Sequence, residues 1–242
     1  MDTSLVVVLV PVHWKASPRA AYASWYPYAE SRAFFVGRCA NCSYALAGAD
    51  EDSGLTIKVR AMLLDALARF PRAKFFMKTD LDTYLVPECL FDFLSRLDPD
   101  EPLLTGFHMF REYVHGGAGY VVTRAALERT ANMTAPLCSL ELAAANYSSK
   151  ATAAHEDRWL TACLASTGAR VRHSDRFFPV SLVVAHESTP PWYEREVRFV
   201  RDELAVAPPY VPEHGLVSLH QYRSPHHDYM AVHAALRLVR VP

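Results

Sequence analysis

The first half of the chain alternates between short apolar runs and longer segments with helical periodicity. The apolar runs are rich in β-branched and aromatic residues, which favour buried strands. Strands and helices that alternate in this way predict an α/β fold, with a mainly parallel central sheet and helices on both faces. The predicted strands are Leu5–Val10, Ala33–Val36, Lys74–Lys78 and Leu103–Phe107, and the predicted helices are Ser17–Trp25, Ile57–Phe70 and Pro87–Leu97.

The helix predicted between Ile57 and Phe70 has an apolar stripe at helical spacing. Its members are Ile57, Ala61, Leu64 and Ala68, and we expect this face to pack on the sheet. The second half of the chain is less regular. It predicts strands at Tyr120–Thr123 and Leu216–His220, helices at Arg124–Thr130, Glu156–Ser166 and His226–Leu238, and loops at 48–54 and 188–212.

Length and charge narrow the function classes. A chain of 242 residues, 51% of them hydrophobic, can bury a large α/β core. A net charge of −1 indicates no general attraction to nucleic acid or to anionic membranes. No apolar segment reaches the ~20 residues that span a bilayer. We therefore expect either a soluble chain or one whose membrane anchor lies upstream.

The chain has five cysteines and three glycosylation sequons. Cys39 and Cys42 suit half a zinc site, a redox pair or a local disulfide, but no second pair at metal spacing supports zinc. Cys138 and Cys163 flank an acidic motif and are candidates for a second bridge. If both bridges form, Cys89 remains free. The sequons begin at Asn41, Asn132 and Asn146, and they give weak support for a secretory compartment.

Two carboxylates, Asp80 and Asp82, follow the apolar run Phe75-Phe76-Met77. In an open α/β sheet, ligands bind at the carboxyl ends of the strands. Paired carboxylates at such a place suit a hard divalent cation that also binds a diphosphate. The motif therefore predicts a nucleotide-sugar site. The alternative is a polar turn, in which Asp and Thr are common.

Six motifs in a fixed order carry a family resemblance. They are Leu55-Thr56-Ile57-Lys58, Lys78-Thr79-Asp80-Leu81-Asp82-Thr83-Tyr84, Asp98-Pro99-Asp100-Glu101-Pro102, His115-Gly116-Gly117-Ala118-Gly119-Tyr120-Val121, His155-Glu156-Asp157-Arg158-Trp159 and Val217-Ser218-Leu219-His220. This order resembles the inverting β1,3-glycosyltransferases of the family that includes fringe and the core 1 β1,3-galactosyltransferases. The third and the last motif most resemble the core 1 branch. The resemblance extends from Leu5 to about Leu238.

The resemblance implies a GT-A fold, a UDP-sugar donor and a divalent cation, usually Mn²⁺. It implies one domain over residues 1–242, with a nucleotide-sugar half to about residue 107 and an acceptor and catalytic half after it. Asp82 would bind the metal directly, with Asp80 nearer the ribose and the hydration shell, and His220 would be the third ligand. An imidazole among oxygen ligands suits Mn²⁺ better than Ca²⁺. The alternative for His220 is a buried, hydrogen-bonded histidine. The family often has a third Asp where this chain has Leu81.

The resemblance also implies a base and two binding surfaces. Asp157 would take the proton of the acceptor hydroxyl, with Glu156 as the rival base or as a helix N-terminal acid. Trp192, Tyr193 and Glu156 are candidates for the acceptor side, and loop packing is the alternative for the two aromatic residues. The predicted donor-binding residues are Lys58, Lys78, Asp80, Gly116, Gly117, Ala118 and Gly119. The alternatives are exposed lysines and a tight glycine turn.

The favoured hypothesis is a metal-dependent, inverting β1,3-glycosyltransferase that moves galactose from a UDP-sugar to a glycan or glycoprotein acceptor. One alternative keeps the chemistry and changes the donor to UDP-N-acetylglucosamine, as in fringe. Another is a non-catalytic binding or chaperone-like homologue. The resemblance implies the secretory pathway, with the Golgi lumen as the expected location, and a homodimer as a candidate assembly.

Overall fold

The computed structural model describes residues 6–11, 26–29, 32–37, 42–43, 55–131, 138, 156–179 and 217–220. The strands in these ranges are β1 (Val6–Pro11), β2 (Ala33–Val36), β3 (Phe75–Lys78), β4 (Thr83–Leu85), β5 (Leu103–Gly106), β6 (His108–Met109), β7 (Tyr113–Val114), β8 (Tyr120–Thr123), β9 (Arg170–His173), β10 (Phe177–Phe178) and β11 (Ser218–His220). The helices are α1 (Tyr26–Ala29), α2 (Leu55–Arg69), α3 (Pro87–Ser95), α4 (Arg124–Ala131) and α5 (Glu156–Ser166).

Six strands form a mainly parallel central sheet in the order β2-β1-β3-β8-β5-β9. Every pairing is parallel except the two that involve β8, which runs antiparallel to both β3 and β5. The predicted mixed α/β class with a mainly parallel sheet is therefore confirmed. The reversed strand in the middle of the sheet was not predicted. Because of this reversal, β8 begins at the edge where its parallel neighbours end.

The sheet separates two hydrophobic cores. In β1, Val6, Val8 and Val10 face one core, while Val7 and Leu9 face the other. Such alternation within one apolar run is expected for a strand that is buried on both faces. Helix α3 and the strands β4 and β10 cover the first core, and helices α2, α4 and α5 cover the second.

Helix α2 packs on the sheet with a face other than the predicted one. Its buried residues include Val59, Met62, Leu63 and Ala66, whereas Ala68 of the predicted stripe is exposed. Both stripes have helical spacing, so periodicity alone could not choose between them. The buried stripe carries the bulkier set of side chains, and burying it removes more apolar surface from water.

Two small sheets lie beside the central one. Strand β11 pairs in parallel with β10 and antiparallel with β4, and β6 pairs with β7 as a hairpin. The strand order thereby brings a segment near residue 220 against the segment that follows β3. The predicted helices Ser17–Trp25 and His226–Leu238, the two predicted loops and all three sequon asparagines lie outside the described residues.

Cys138 and Cys163 form a disulfide with a Cα–Cα distance of 4.8 Å, which confirms that prediction. The bridge ties residue 138 to the second half of helix α5. Cys42 is also disulfide-bonded, and Cys89 has a reduced thiol. The predicted partner of Cys42, Cys39, lies outside the described residues. Within the described part of the chain, no helix has the length and apolarity needed to cross a membrane.

We expect the unreduced, denatured protein to contain one reactive thiol per chain. Denaturation exposes every cysteine, so the count depends only on which sulfurs are already bridged. Alkylation in guanidinium followed by peptide mapping should place the label on Cys89. A count of five would contradict both predicted bridges, and a count of three would leave only one.

Candidate active site at the carboxyl edge of the sheet

A tight turn follows β3 and carries the paired acids. The backbone N–H of Thr83 donates to the carbonyl of Asp80 at 3.1 Å, and the Thr83 hydroxyl accepts the N–H of Asp80 at 3.3 Å. The same hydroxyl donates to the carbonyl of Gly117 at 2.6 Å. The segment after β3 is therefore a polar turn, which was the alternative to a nucleotide-sugar site. This turn is hydrogen-bonded to the glycine motif.

The glycine motif forms a loop whose carbonyls are held by side chains from three strands. Gly116 O accepts from the Lys78 ammonium at 3.1 Å, and Gly117 O accepts from Thr83. Ala118 O accepts from the hydroxyl of Ser218, on β11. Three motifs that are far apart in the sequence thus meet at this loop.

Two glycines of the loop have no room for a side chain. Gly119 has a φ of +82°, and a Cβ there would lie 3.0 Å from the carbonyl oxygen of Lys78. A Cβ on Gly116 would overlap the Glu156 carboxylate. Gly119 is therefore required by its conformation and its packing, and Gly116 by the close approach of helix α5.

We expect Gly119→Ala to lower both the stability and the activity of the protein. A left-handed Ala is disfavoured by about 1–2 kcal/mol, and the contact with the Lys78 carbonyl adds to that. Gly168→Ala is the matched control, because Gly168 has a φ of +78° and a Cβ there would meet only an Arg129 side-chain nitrogen at 3.4 Å. Thermal unfolding should show a loss in both variants, and only Gly119→Ala should lose activity. Equal activity in the two variants would contradict a role for the loop in the site.

Lys78 is fully buried at the end of β3. Its ammonium lies 2.8 Å from Asp80 Oδ1, 2.7 Å from Glu156 Oε1 and 3.1 Å from Gly116 O. A lysine has three N–H donors, so these acceptors use all of them. These contacts argue against the prediction that Lys78 contacts the donor diphosphate. The alternative of an exposed lysine is wrong, because the side chain is fully buried.

The acid pair opens helix α5 and faces the glycine loop. Asp157 Oδ2 accepts the backbone N–H of Gly116 at 2.9 Å, and its Oδ1 accepts the N–H of Arg158 at 2.8 Å. Glu156 is 3% exposed and paired with Lys78, whereas Asp157 is 8% exposed. The ion pair occupies Glu156, which argues against its predicted acceptor role and against Glu156 as the base. Among the described residues, no lysine forms an ion pair with Asp157, which makes Asp157 the better candidate for the base.

Burial raises the pKa of both acids, because it disfavours their charged forms. It raises the pKa of Glu156 to about 7, with Lys78 opposing the shift and the negative charges of Asp157 and Asp80 adding to it. It raises the pKa of Asp157 to about 6, against the hydrogen bond from Gly116 and the charge of Lys78. With a pKa of about 6, the carboxyl group of Asp157 is mostly ionised at neutral pH, as a general base requires.

Strand pairing brings the backbone of His220 next to the acidic turn. His220 is the direct antiparallel partner of Thr83, the residue after Asp82, although 137 positions separate the two in sequence. Asp80 is 30% exposed at the same turn, and Asp82 is half-buried. Among the described side chains, no group of three or more His, Cys, Asp or Glu residues is placed to hold a metal ion. The carboxylates of Asp80 and Asp82 are oxygen donors of the kind that a divalent cation prefers, and the cation itself stays a prediction.

The remaining positions that the sequence singled out are Leu81, Lys58, Trp192 and Tyr193. Leu81, which replaces the acid common in the family, packs against the first core. The middle position of the motif thus contributes to packing in this chain. Lys58 lies half-buried on helix α2, and its donor role stays a prediction. Trp192 and Tyr193 lie outside the described residues.

Three residues of the site were missed in the sequence. Thr83 and Ser218 donate hydrogen bonds to the glycine loop. Both lie within recognised motifs, and this position in the sequence could have identified them as site residues. Tyr120 is fully buried with its ring centre 5.8 Å from Lys78 Nζ, and its hydroxyl has no hydrogen-bond partner among the described residues. Burial raises the pKa of Tyr120 well above its usual value. The sequence around Tyr120 is that of an ordinary apolar strand, so it does not indicate that a buried lysine lies beside the ring.

No protein-family model matches the chain. Among solved structures, it is similar to a crystal structure of a glycosyltransferase involved in the glycosylation of the major capsid of PBCV-1. The two chains share 14% identity, the match covers 96% of this chain and 98% of the other, and the TM-score is 0.46. A likeness this distant does not assign a family, so the function is argued from the site residues.

Proposed function

We propose that this chain is a metal-dependent, inverting β1,3-glycosyltransferase that transfers galactose from UDP-galactose to a glycan or glycoprotein acceptor. The observation that carries the proposal is the meeting of four motifs at one place. The acidic turn, the glycine loop, the Glu-Asp helix start and the Ser-Leu-His strand are joined there by direct contacts or by strand pairing. Each motif has a role in the family that the sequence resembles.

The chemistry of the site supports the same reaction class. Asp80 and Asp82 present carboxylate oxygens at the carboxyl edge of the sheet, where a divalent cation and a diphosphate can bind together. When bound, the cation would neutralise charge on the departing UDP. The carboxylate of Asp157 contacts the same glycine loop as Thr83 of this turn. It is the residue that we assign to remove the acceptor proton as its oxygen attacks the anomeric carbon.

A UDP-release assay tests the proposal. The purified chain should release UDP from UDP-galactose in the presence of Mn²⁺ and an aryl α-N-acetylgalactosaminide, and the product should carry a β1,3 linkage by NMR. Preference for UDP-N-acetylglucosamine would favour the fringe-like alternative. Binding of UDP–Mn²⁺ without transfer from any UDP-sugar would favour the non-catalytic homologue. No binding of UDP would reject a nucleotide-sugar site.

We propose an oxidising compartment as the place of action. Disulfides persist in secreted proteins and in the secretory pathway and are rare in the cytosol. The Cys138–Cys163 bridge and the bonded state of Cys42 support this location. Golgi residence and a homodimer remain proposals drawn from the resemblance.

A further inference from the structure

Lys78 carries a buried charge, and the proposed transfer reaction does not use it. Removing an ammonium from water is unfavourable unless the charge is paired and hydrogen-bonded. Asp80, Glu156 and Gly116 supply that pairing, and the ring of Tyr120 lies nearby. A lysine with these partners is not available to a ligand, so its function has to be sought in the segments that it joins.

The three acceptors belong to three different parts of the site. Asp80 is in the acidic turn two residues after Lys78. Gly116 is in the glycine loop, 38 residues after Lys78. Glu156 opens helix α5, 78 residues after Lys78. Each segment has one direct bond to the ammonium. A single group therefore sets the relative positions of the donor side and the helix that carries the base.

The contact with Glu156 acts on Asp157 through the backbone, since the two residues are adjacent. Asp157 in turn accepts the N–H of Gly116, whose carbonyl accepts from Lys78. Lys78, Glu156, Asp157 and Gly116 thus form a closed ring of contacts. If the ammonium were removed, the glycine loop and the helix start would each lose a hydrogen bond.

We propose that Lys78 is a positioning residue that holds the acidic turn, the glycine loop and the start of helix α5 in the arrangement that places Asp157 for catalysis. The proposal rests on the proposed transferase function. It differs from a contact to the donor diphosphate because it requires the ammonium to bond only to the protein. It also gives Glu156 a role as the partner of Lys78, separate from proton transfer.

The test uses Lys78→Met, Glu156→Gln and the double variant in the full chain. Displacing a reacting group by about 1 Å can lower turnover ~10²-fold, so we expect a kcat loss of this size in Lys78→Met. The dissociation constant of UDP–Mn²⁺, measured by calorimetry, should rise by a much smaller factor, because the hydrogen bonds between Asp80 and Thr83 still hold the acidic turn. Glu156→Gln keeps the shape of the partner and should show a smaller loss of kcat. Lys74→Met is the matched control, because Lys74 pairs with exposed Asp100 at the surface.

The double variant separates positioning from stability. Lys78→Met leaves a buried acid without its partner, and the second change removes that unpaired charge. We therefore expect the double variant to recover thermal stability relative to Lys78→Met but not to recover kcat. Recovery of turnover together with stability would overturn the proposal, because Lys78 would then only neutralise Glu156. If Lys78→Met alone does not fold, the double variant decides the question.

Two further outcomes overturn the proposal. A loss of UDP–Mn²⁺ affinity in Lys78→Met that exceeds its loss of kcat would show that the lysine acts mainly on donor binding and not on the placement of Asp157. Wild-type kcat in both Lys78→Met and Glu156→Gln would show that the contacts have no role in catalysis. In either case transfer by the wild-type protein would still support the transferase function. A wild-type chain that transfers no sugar would instead refute that function.

Discussion

Replacing Asp157 by Asn is expected to lower the rate of glycosyl transfer by ~10²–10⁴-fold, the usual contribution of a positioned base. The variant keeps the size of the side chain, and its amide oxygen can still accept one of the two backbone N–H groups that Asp157 binds. It cannot accept a proton from the acceptor hydroxyl. The affinity for UDP–Mn²⁺ should therefore change little, and steady-state kinetics with saturating donor should show the loss in kcat.

Two comparisons make this result specific. Asp65→Asn is the matched control, because Asp65 pairs with Arg69 on the exposed side of helix α2. Glu156→Gln should retain more activity than Asp157→Asn. Near wild-type turnover in Asp157→Asn together with an inactive Glu156→Gln would assign the base to Glu156. Melting curves for all three variants would show whether a loss of activity follows from a loss of structure.

The pH profile should carry the signature of the same carboxylate. The pKa of Asp157 is raised to about 6, and a base acts only when it is ionised. The value of kcat/KM should therefore fall as the pH is lowered through 6, and it should level off above it. Glu156→Gln should keep this acid limb, and the residual rate of Asp157→Asn should lose it. A wild-type profile that is flat across this range would contradict the assignment.

Removal of divalent cations is expected to abolish transfer, and added Mn²⁺ should restore it. The reason is that the acidic turn has carboxylate oxygens to hold the cation, and the departing UDP needs its charge neutralised. Loss of an outer-shell partner of a metal typically lowers affinity ~10–100-fold, so loss of a direct ligand in Asp82→Asn should cost at least as much. Titration of activity against Mn²⁺ measures this shift.

His220→Ala should shift the Mn²⁺ titration in the same direction. Asp98→Asn is the control for both variants, because Asp98 is exposed and its carboxylate accepts a local N–H from Asp100. Full activity in excess chelator would reject the cation altogether. A shift in Asp82→Asn but none in His220→Ala would remove His220 from the ligand set and leave Asp82 in place.

The parts of the fold that the sequence predicted well have strong local signals. Strands Ala33–Val36 and Tyr120–Thr123 and helix Glu156–Ser166 are observed at their predicted bounds. The two strands are compact apolar runs, and the helix starts with two acids that its dipole favours. Strand β9 (Arg170–His173) was missed, because an edge strand with three basic side chains has no apolar pattern. The direction of β8 was missed as well, since strand orientation depends on the path of the chain between strands.

The amino-acid sequence by itself determined which types of residue lie at the ends of the strands and at the start of helix α5. The acids after β3, the glycines before β8 and the acid pair at the start of helix α5 were all visible as motifs. Their types and order were enough to suggest a nucleotide-sugar site. Local structure also followed from the sequence wherever one periodicity dominated.

Only the tertiary structure decided which of these groups touch one another. Lys78 looked like a phosphate ligand or an exposed side chain, and the fold instead buried it against Glu156 and Gly116. Leu81 looked like a lost ligand, and it packs on the first core. These outcomes depend on contacts between segments far apart in the chain. Burial and charge pairing act on groups that come together only when the sheet has formed, so no local pattern records them.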